Sequence, residues 1–365
     1  MKIENLFEKL NNFSKLSLQE SWDNSGIQLL IDNSEIRKII LTLDITGDVI
    51  DFAKEKNANL IISHHPLIFS GLKSLNYKNK KDNIIIKAVK HNINIFSFHT
   101  NIDKSINGLV DYFCKKIGLM NTEPLATTSY EKLYKVVTFI PEEFLDIFLQ
   151  LIKENNFSVI GKYRVCSFHT SGTGTFLPVD NAKPFSGEKN KLNKVKEFRI
   201  EIQESNSALY KVINVIKSNH PYEEPVIDIY PLNQKGKFTG ALGRVGYLDK
   251  EIDSKNFIQL LKKIFNISTI KVSGFREGMK IKKVAVCPGS GMSLIKNVIS
   301  SGADVYITGD VKYHEALDSA EMNLLVIDMG HFGSEFIFTE LMRDYLLNLN
   351  LNVEIYNQKD VFKYF

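Results

Sequence analysis

The residues Leu60-Ile61-Ile62-Ser63 have the apolar run of a buried strand, and they lead into His64-His65 before Pro66 stops the strand. In open α/β sheets the carboxyl end of a strand is where ligands bind, and histidine is the commonest metal ligand. Two more strand ends carry ligand types. Residues 93–98 run into His99-Thr100-Asn101-Ile102-Asp103, and residues 324–327 run into Asp328-Met329-Gly330-His331, with Glu335 four places further on. On a helix starting near His331 that spacing puts both side chains on one face. Imidazole and carboxylate together suit zinc, iron, manganese or a mixed pair of such ions. The adjacent His64 and His65 point in different directions, so they most easily serve two ions, with a carboxylate such as Glu335 between them. Two ions about 3.5–4 Å apart that share a water make a hydrolytic site. Singly, His99 and His314 read as ordinary structural histidines, and Asp103 as a cap on a helix near Ser105. Convergence at strand ends is what sets the group apart.

Other groups fit around such a centre. His99, Lys312 and His314 are the candidate catalytic residues. The last two follow Gly309-Asp310, where they could hold a phosphate or transfer a proton, or simply face solvent from the first turn of a helix. Gly289-Ser290-Gly291 could offer backbone N–H groups to an anion, although a tight turn is the simpler explanation. Trp22, the only tryptophan, sits in the polar stretch Glu20-Ser21-Trp22-Asp23-Asn24-Ser25-Gly26. It is a packing anchor or, given Asp23 and Asn24, part of a site wall.

The elements that must position these residues alternate. An amphipathic helix is expected over 3–15. Strands are expected at 38–43, 60–63 and 93–98, each followed by a helix (47–55, 82–91 and 105–117, the last N-capped by Ser105). The same texture returns after Gly240, with strands at 283–286, 304–308, 324–327 and 353–356 and helices at 292–301, 311–322 and 333–347. This β-α order predicts an α/β class with a mostly parallel, two-lobed α/β/α domain. Each half sends polar groups out at its strand ends, which hints at duplication. Between the halves the order is strand 135–140, helix 141–155, strands 163–170 and 197–203, helix 207–218 and strand 226–230. That is the βαββαβ order of a ferredoxin-like sandwich. The domains expected are therefore 1–124 with 241–365, and an insert at 125–240.

The length of 365 residues suits two or three domains, and 44% hydrophobic residues is normal for a packed protein. A net charge of +4, from 46 basic and 42 acidic residues, predicts affinity for neither nucleic acid nor membrane. Cys114, Cys166 and Cys287 are unpatterned, which argues for a reducing compartment and against a cysteine-built zinc site. No signal region opens the sequence, and no apolar run nears the ~20 residues of a membrane span. A cytoplasmic protein is expected.

The motifs taken together resemble the NIF-three-like family, whose members are also known as GTP cyclohydrolase I type 2. The resemblance covers nearly the whole chain. It rests on Ser21-Trp22-Asp23-Asn24-Ser25-Gly26, His64-His65-Pro66-Leu67-Ile68-Phe69, His99-Thr100-Asn101-Ile102-Asp103, Thr308-Gly309-Asp310-Val311-Lys312-Tyr313-His314-Glu315-Ala316 and Gly330-His331-Phe332-Gly333-Ser334-Glu335. It implies a dimetal centre with His64, His65, Asp103, His331 and Glu335 as ligands, in a homohexameric toroid whose sites face an inner cavity. It also implies a PII/CutA-like insert, signed by His220-Pro221-Tyr222-Glu223-Glu224-Pro225. One departure is that the family's Cys-Gly-Gly-Ser-Gly-Gly is Cys287-Pro288-Gly289-Ser290-Gly291-Met292 here. Pro288 removes an N–H donor and Met292 adds bulk, which weakens an anion cradle and leaves the ligands untouched.

The function expected is that of a hydrolase using two divalent metal ions per subunit on a purine nucleotide or similar small molecule, possibly GTP. The alternative is a metal-binding ring with a regulatory or protein-interaction role, in which the insert is the sensor.

Overall fold

Strands buried on both faces read as near-continuous apolar runs, and the central strands of this protein do so up to polar residues at their ends. In the computed structural model, which describes residues 1–363 (backbone alone at 127 and 128), Ile39–Thr42 and Leu60–Ser63 are buried at every position. Alternate residues of these strands enter different cores. Ile39, Leu41, Leu60, Ile62 and Phe96 belong to one cluster, while Ile40, Ile61 and Ile95 pack with Val49, Ile50, Ala53 and Ala88 in another. This is the period-2 geometry of a strand between two layers.

The chain divides into two compact units, Met1–Ser129 with Thr239–Phe365, and Tyr130–Phe238. The first unit holds two sheets. One has the strand order Gly26–Leu29, Asn94–Ser97, Leu60–Ser63, Ile39–Thr42, Val353–Ile355, parallel except for its antiparallel first strand. In the other, residues 239–253 are followed by Lys280–Val286, Val305–Thr308, Leu325–Asp328 and Lys271–Ser273. The inner pairs are parallel and the outer ones antiparallel. Both sheets share a core with the helices Ile3–Phe13, Leu109–Lys116, Ser254–Phe265 and Phe338–Leu347. The expected α/β class and mostly parallel sheets are therefore present. The second unit has the element order strand, helix, strand, strand, helix, strand, with its own core around Val136, Ile152, Ile200 and Val212.

Several expectations are corrected. The helix expected at 105–117 is two helices, Thr100–Lys104 and Leu109–Lys116. Ser105 follows the first of them rather than capping the second, because its Oγ donates to the Asn101 carbonyl and shares a hydrogen bond with Ser14 Oγ in a buried network. The strands expected at 135–140 and 226–230 are parts of the long strands Met120–Pro141 and Ile227–Asp253. The two compact units divide at 129/130 and 238/239, inside strands, within a few residues of the 124/125 and 240/241 expected. Gly240 suggested a boundary, but a side chain there would sit 2.6 Å from the Lys104 carbonyl oxygen, so close packing is what requires the glycine. The strand expected at 163–170 runs from Ser167 to Phe176. The edge strands Gly26–Leu29 and Lys271–Ser273 and the helix Ser254–Phe265 were not anticipated. No described helix is long and apolar enough to cross a membrane.

Candidate metal centre

The parallel strands end level. Thr42 pairs with Ser63 and Ser63 with Ser97, so Asp44, His64-His65 and His99 leave the first sheet at the same edge. In the second sheet Thr308 pairs with Asp328, so Asp310 and His331 also leave together. Register, rather than proximity in the chain, collects the donors. His331–Glu335 is a single short helix, and the two side chains do share a face, with His331 Nε2 at 2.9 Å from Glu335 Oε2.

Around that oxygen His64, His65 and His331 converge, and Asp103 stands beside His64. Glu335 Oε2 lies 3.0 Å from His65 Nε2 and 3.8 Å from His64 Nε2. His64 Nε2 lies 3.7 Å from Asp103 Oδ1, and the His65 and His331 Nε2 atoms are 3.2 Å apart. Donor atoms of His64, His65 and His99 fall within 4.8 Å of one another, as do those of His65, His331 and Glu335. His65 belongs to both sets, so the two sets form one continuous cluster of donors.

Each imidazole is turned inward by an acceptor on its Nδ1. The Phe98 carbonyl takes the His64 N–H at 2.7 Å, Asp44 that of His65 at 2.7 Å, Asp310 that of His331 at 2.7 Å and Asp23 that of His99 at 2.7 Å. A carbonyl or carboxylate can only accept, so Nδ1 carries the proton and Nε2 is left with the lone pair that binds metals. These holders were missed in the sequence. The signal was there, since Asp44–His65 and Asp310–His331 are both separated by 21 positions.

Two buried atoms here have no hydrogen-bond partner, His64 Nε2 and Asp103 Oδ1. Such an atom costs roughly 1–3 kcal/mol unless something completes it. Burial, and then the charge of Glu335, push the Asp103 carboxyl up. Burial would raise Glu335 too, but hydrogen bonds from His331 and His65, with the His64 imidazole close by, outweigh it and hold it well below the usual carboxylate range. Burial works against a charge on His65, yet its bonds to Asp44 and Glu335 raise it to about 10. The bond to Glu335, working against burial, raises His331 to about 9. The Nε2 protons that these carboxylates favour are the ones a cation would replace. Burial also opposes a charge on Asp23, but bonds from His99, Thr100 and Ser25 keep it ionised far below its usual range. Nitrogen and oxygen donors with orphaned atoms among them fit divalent ions of the borderline kind. Cys287 belongs to neither donor group, and burial and then the charge of Asp103 push its thiol up to about 12.

The remaining candidates separate. His99 is in the cluster. Lys312 and His314 are exposed. The Lys312 backbone N–H donates to Glu315 Oε2, and the His314 ring packs on Tyr313; neither belongs to the donor groups. The Gly289 N–H donates to Ser334 Oγ and the Gly291 N–H to Thr308 Oγ1, so these donors are taken and the loop is a tight turn. A side chain at Gly289 would lie 2.0 Å from Glu335 Oε1, so glycine there makes room for the Glu335 carboxylate. Trp22 is 56% exposed and its ring meets that of His99 edge-on at 5.9 Å, which is the position of a wall and not of a packing anchor. The second unit has a cavity of about 950 Å³ lined by Phe139, Phe185, Glu197, Arg199 and Tyr222 among others. The His220-Pro221-Tyr222 motif borders it through Tyr222, whose hydroxyl donates to Glu197.

The sequence profile of Duf34/NIF3 (NGG1p interacting factor 3) matches residues 1–360. A Staphylococcus epidermidis protein called "GTP cyclohydrolase 1 type 2 homolog" is 36% identical over 346 residues, covering 95% of this chain and 93% of that protein. A Halalkalibacterium halodurans protein of the same name is 37% identical, over 91% and 89%. Among solved structures, a Bacillus cereus protein related to NIF3 superimposes with a TM-score of 0.80 at 33% identity, over 100% of this chain and 99% of that one.

Proposed function

The chain belongs to the Duf34/NIF3 family, and from that premise we propose that it is a hydrolase dependent on two divalent metal ions per subunit, acting on a small molecule of the purine-nucleotide kind. The name shared by its relatives makes GTP the first substrate to try. What carries the proposal is the pair of unpartnered buried atoms, His64 Nε2 and Asp103 Oδ1, opposite Glu335.

His64, His65, Asp103, His331 and Glu335 would hold the ions. Bound divalent ions supply Lewis acidity and make a water more acidic. The residues do the rest. Phe98, Asp44 and Asp310 fix the imidazole orientations through Nδ1. Asp23 fixes His99 in the same way, which leaves the His99 Nε2 to hold or pass a proton. The homohexamer and the cytoplasmic location expected from the sequence belong to the same proposal, and light scattering at known concentration tests the first.

Elemental analysis of the native protein followed by incubation with GTP tests the function. Two equivalents of zinc, iron or manganese per chain, together with consumption of GTP, support it. Full occupancy without turnover under any of these metals removes the cyclohydrolase reaction, and no metal removes the hydrolase altogether.

A further inference from the structure

Trp22 and Phe69 are 56% and 55% exposed, with ring centroids 6.0 Å apart and planes at 37°. Exposed apolar rings are common in loops that have nothing to hold them, but these two stand on a fixed frame. Next to Trp22, the Asp23 side chain is fully buried and takes bonds from His99, Thr100 and Ser25. The loop carrying Phe69 is tied to the loop carrying Trp22. Asn24 Nδ2 donates to the Ile68 carbonyl, the Ile68 N–H donates to Gln28 Oε1, and Gln28 Nε2 donates to the Asn24 carbonyl. The backbone is thus ordered while the hydrophobic gain of covering two large rings is left unrealised. The edge-on contact of Trp22 with His99 puts this surface beside the donor cluster. A molecule lying on it reaches the metal centre.

We propose that Trp22 and Phe69 form a stacking surface for a planar heterocycle, which they hold at the mouth of the metal centre. The inference rests on the proposed function for its location and adds the part of the substrate that is recognised. Aromatic faces bind planar rings by stacking and tolerate differences between bases, so the selectivity is for a flat ring system over a bare phosphate chain.

Trp22 is the only tryptophan, so intrinsic fluorescence of the zinc-loaded full-length protein reports on it directly. Guanosine, GTP and inorganic tripolyphosphate are titrated in, with free tryptophan amide as the absorption control and zinc measured in every sample. Guanosine and GTP are expected to quench saturably, and tripolyphosphate is not. Phe69→Ala is expected to weaken guanosine binding by about tenfold with zinc content unchanged, while Phe69→Tyr keeps it. Equal quenching by tripolyphosphate, or a guanosine affinity indifferent to Phe69→Ala, overturns the proposal. So does an emission already shielded from acrylamide before ligand is added, which would mean that another copy of the chain covers the rings. Bound zinc without base-selective quenching sinks the stacking surface alone. Base-selective quenching without bound zinc sinks the metal centre alone.

Discussion

The two sheets of the first unit contribute to the candidate metal centre by the same device and differ in how deeply the histidines there are buried. In each, an aspartate just past one strand takes the Nδ1 proton of a histidine 21 positions later, just past the neighbouring strand. The first sheet's side has a dry corner. His64 is fully buried, and its Nε2 and the Asp103 Oδ1 lack partners. The second sheet's side has no such corner: Asp310 is 47% exposed, much as Asp44 is at 48%, but His331 is 38% exposed against 20% for His65. Glu335 joins them through one oxygen. The difference teaches that the two sides depend on a cation unequally. In the dry corner nothing but a ligand completes the polar atoms, whereas at the more exposed positions water can.

The largest effect is expected where the sides meet. Glu335→Ala removes the oxygen that all three histidines approach and should reduce metal content from two equivalents per chain to less than one, as read by elemental analysis. Retention of both metals would mean the sides bind independently. Next, the dry corner should separate from the second sheet's side when metal is removed. In chelator-treated protein, Asp103→Ala removes a buried carboxyl with an unpartnered oxygen and should raise stability by roughly 1–3 kcal/mol. Asp310→Ala, at a more exposed position, should change it by no more than about 0.5 kcal/mol. Equal effects in denaturant titrations would erase the distinction.

A smaller change is expected at the orienting aspartates. Asp44→Asn and Asp310→Asn should each weaken metal binding by about 10–100-fold, the usual cost of losing the partner that orients a ligand, measured by competition with a chelator of known affinity. The smallest concerns Lys312, which is exposed and outside the donor groups. Lys312→Ala should leave metal content and thermal midpoint unchanged. A loss of GTP turnover in that variant, with metal retained, would return it to the catalytic set.

Much of the site was legible because ligand chemistry is local. A histidine pair after an apolar run, and a histidine and glutamate four apart, are visible without coordinates. The holders were less visible. Asp23 and His99 are 76 positions apart, and nothing in either neighbourhood says that one faces the other. The long strands hid the unit boundaries, since a strand that continues carries no turn residue to mark its division. The helix expected at 105–117 failed because Ser105 found tertiary partners in Ser14 and Asn101 that outcompete its capping role.

By itself the sequence determined the composition of the site and the class of the fold. Donor types are fixed by residue identity, and strands buried on both faces announce themselves through unbroken apolar runs. Only the tertiary structure decided which strand ends lie level, which oxygen faces which imidazole and which polar atoms are left without a partner. Those outcomes follow from strand order and register, which are set by the whole core rather than by any local stretch of chain.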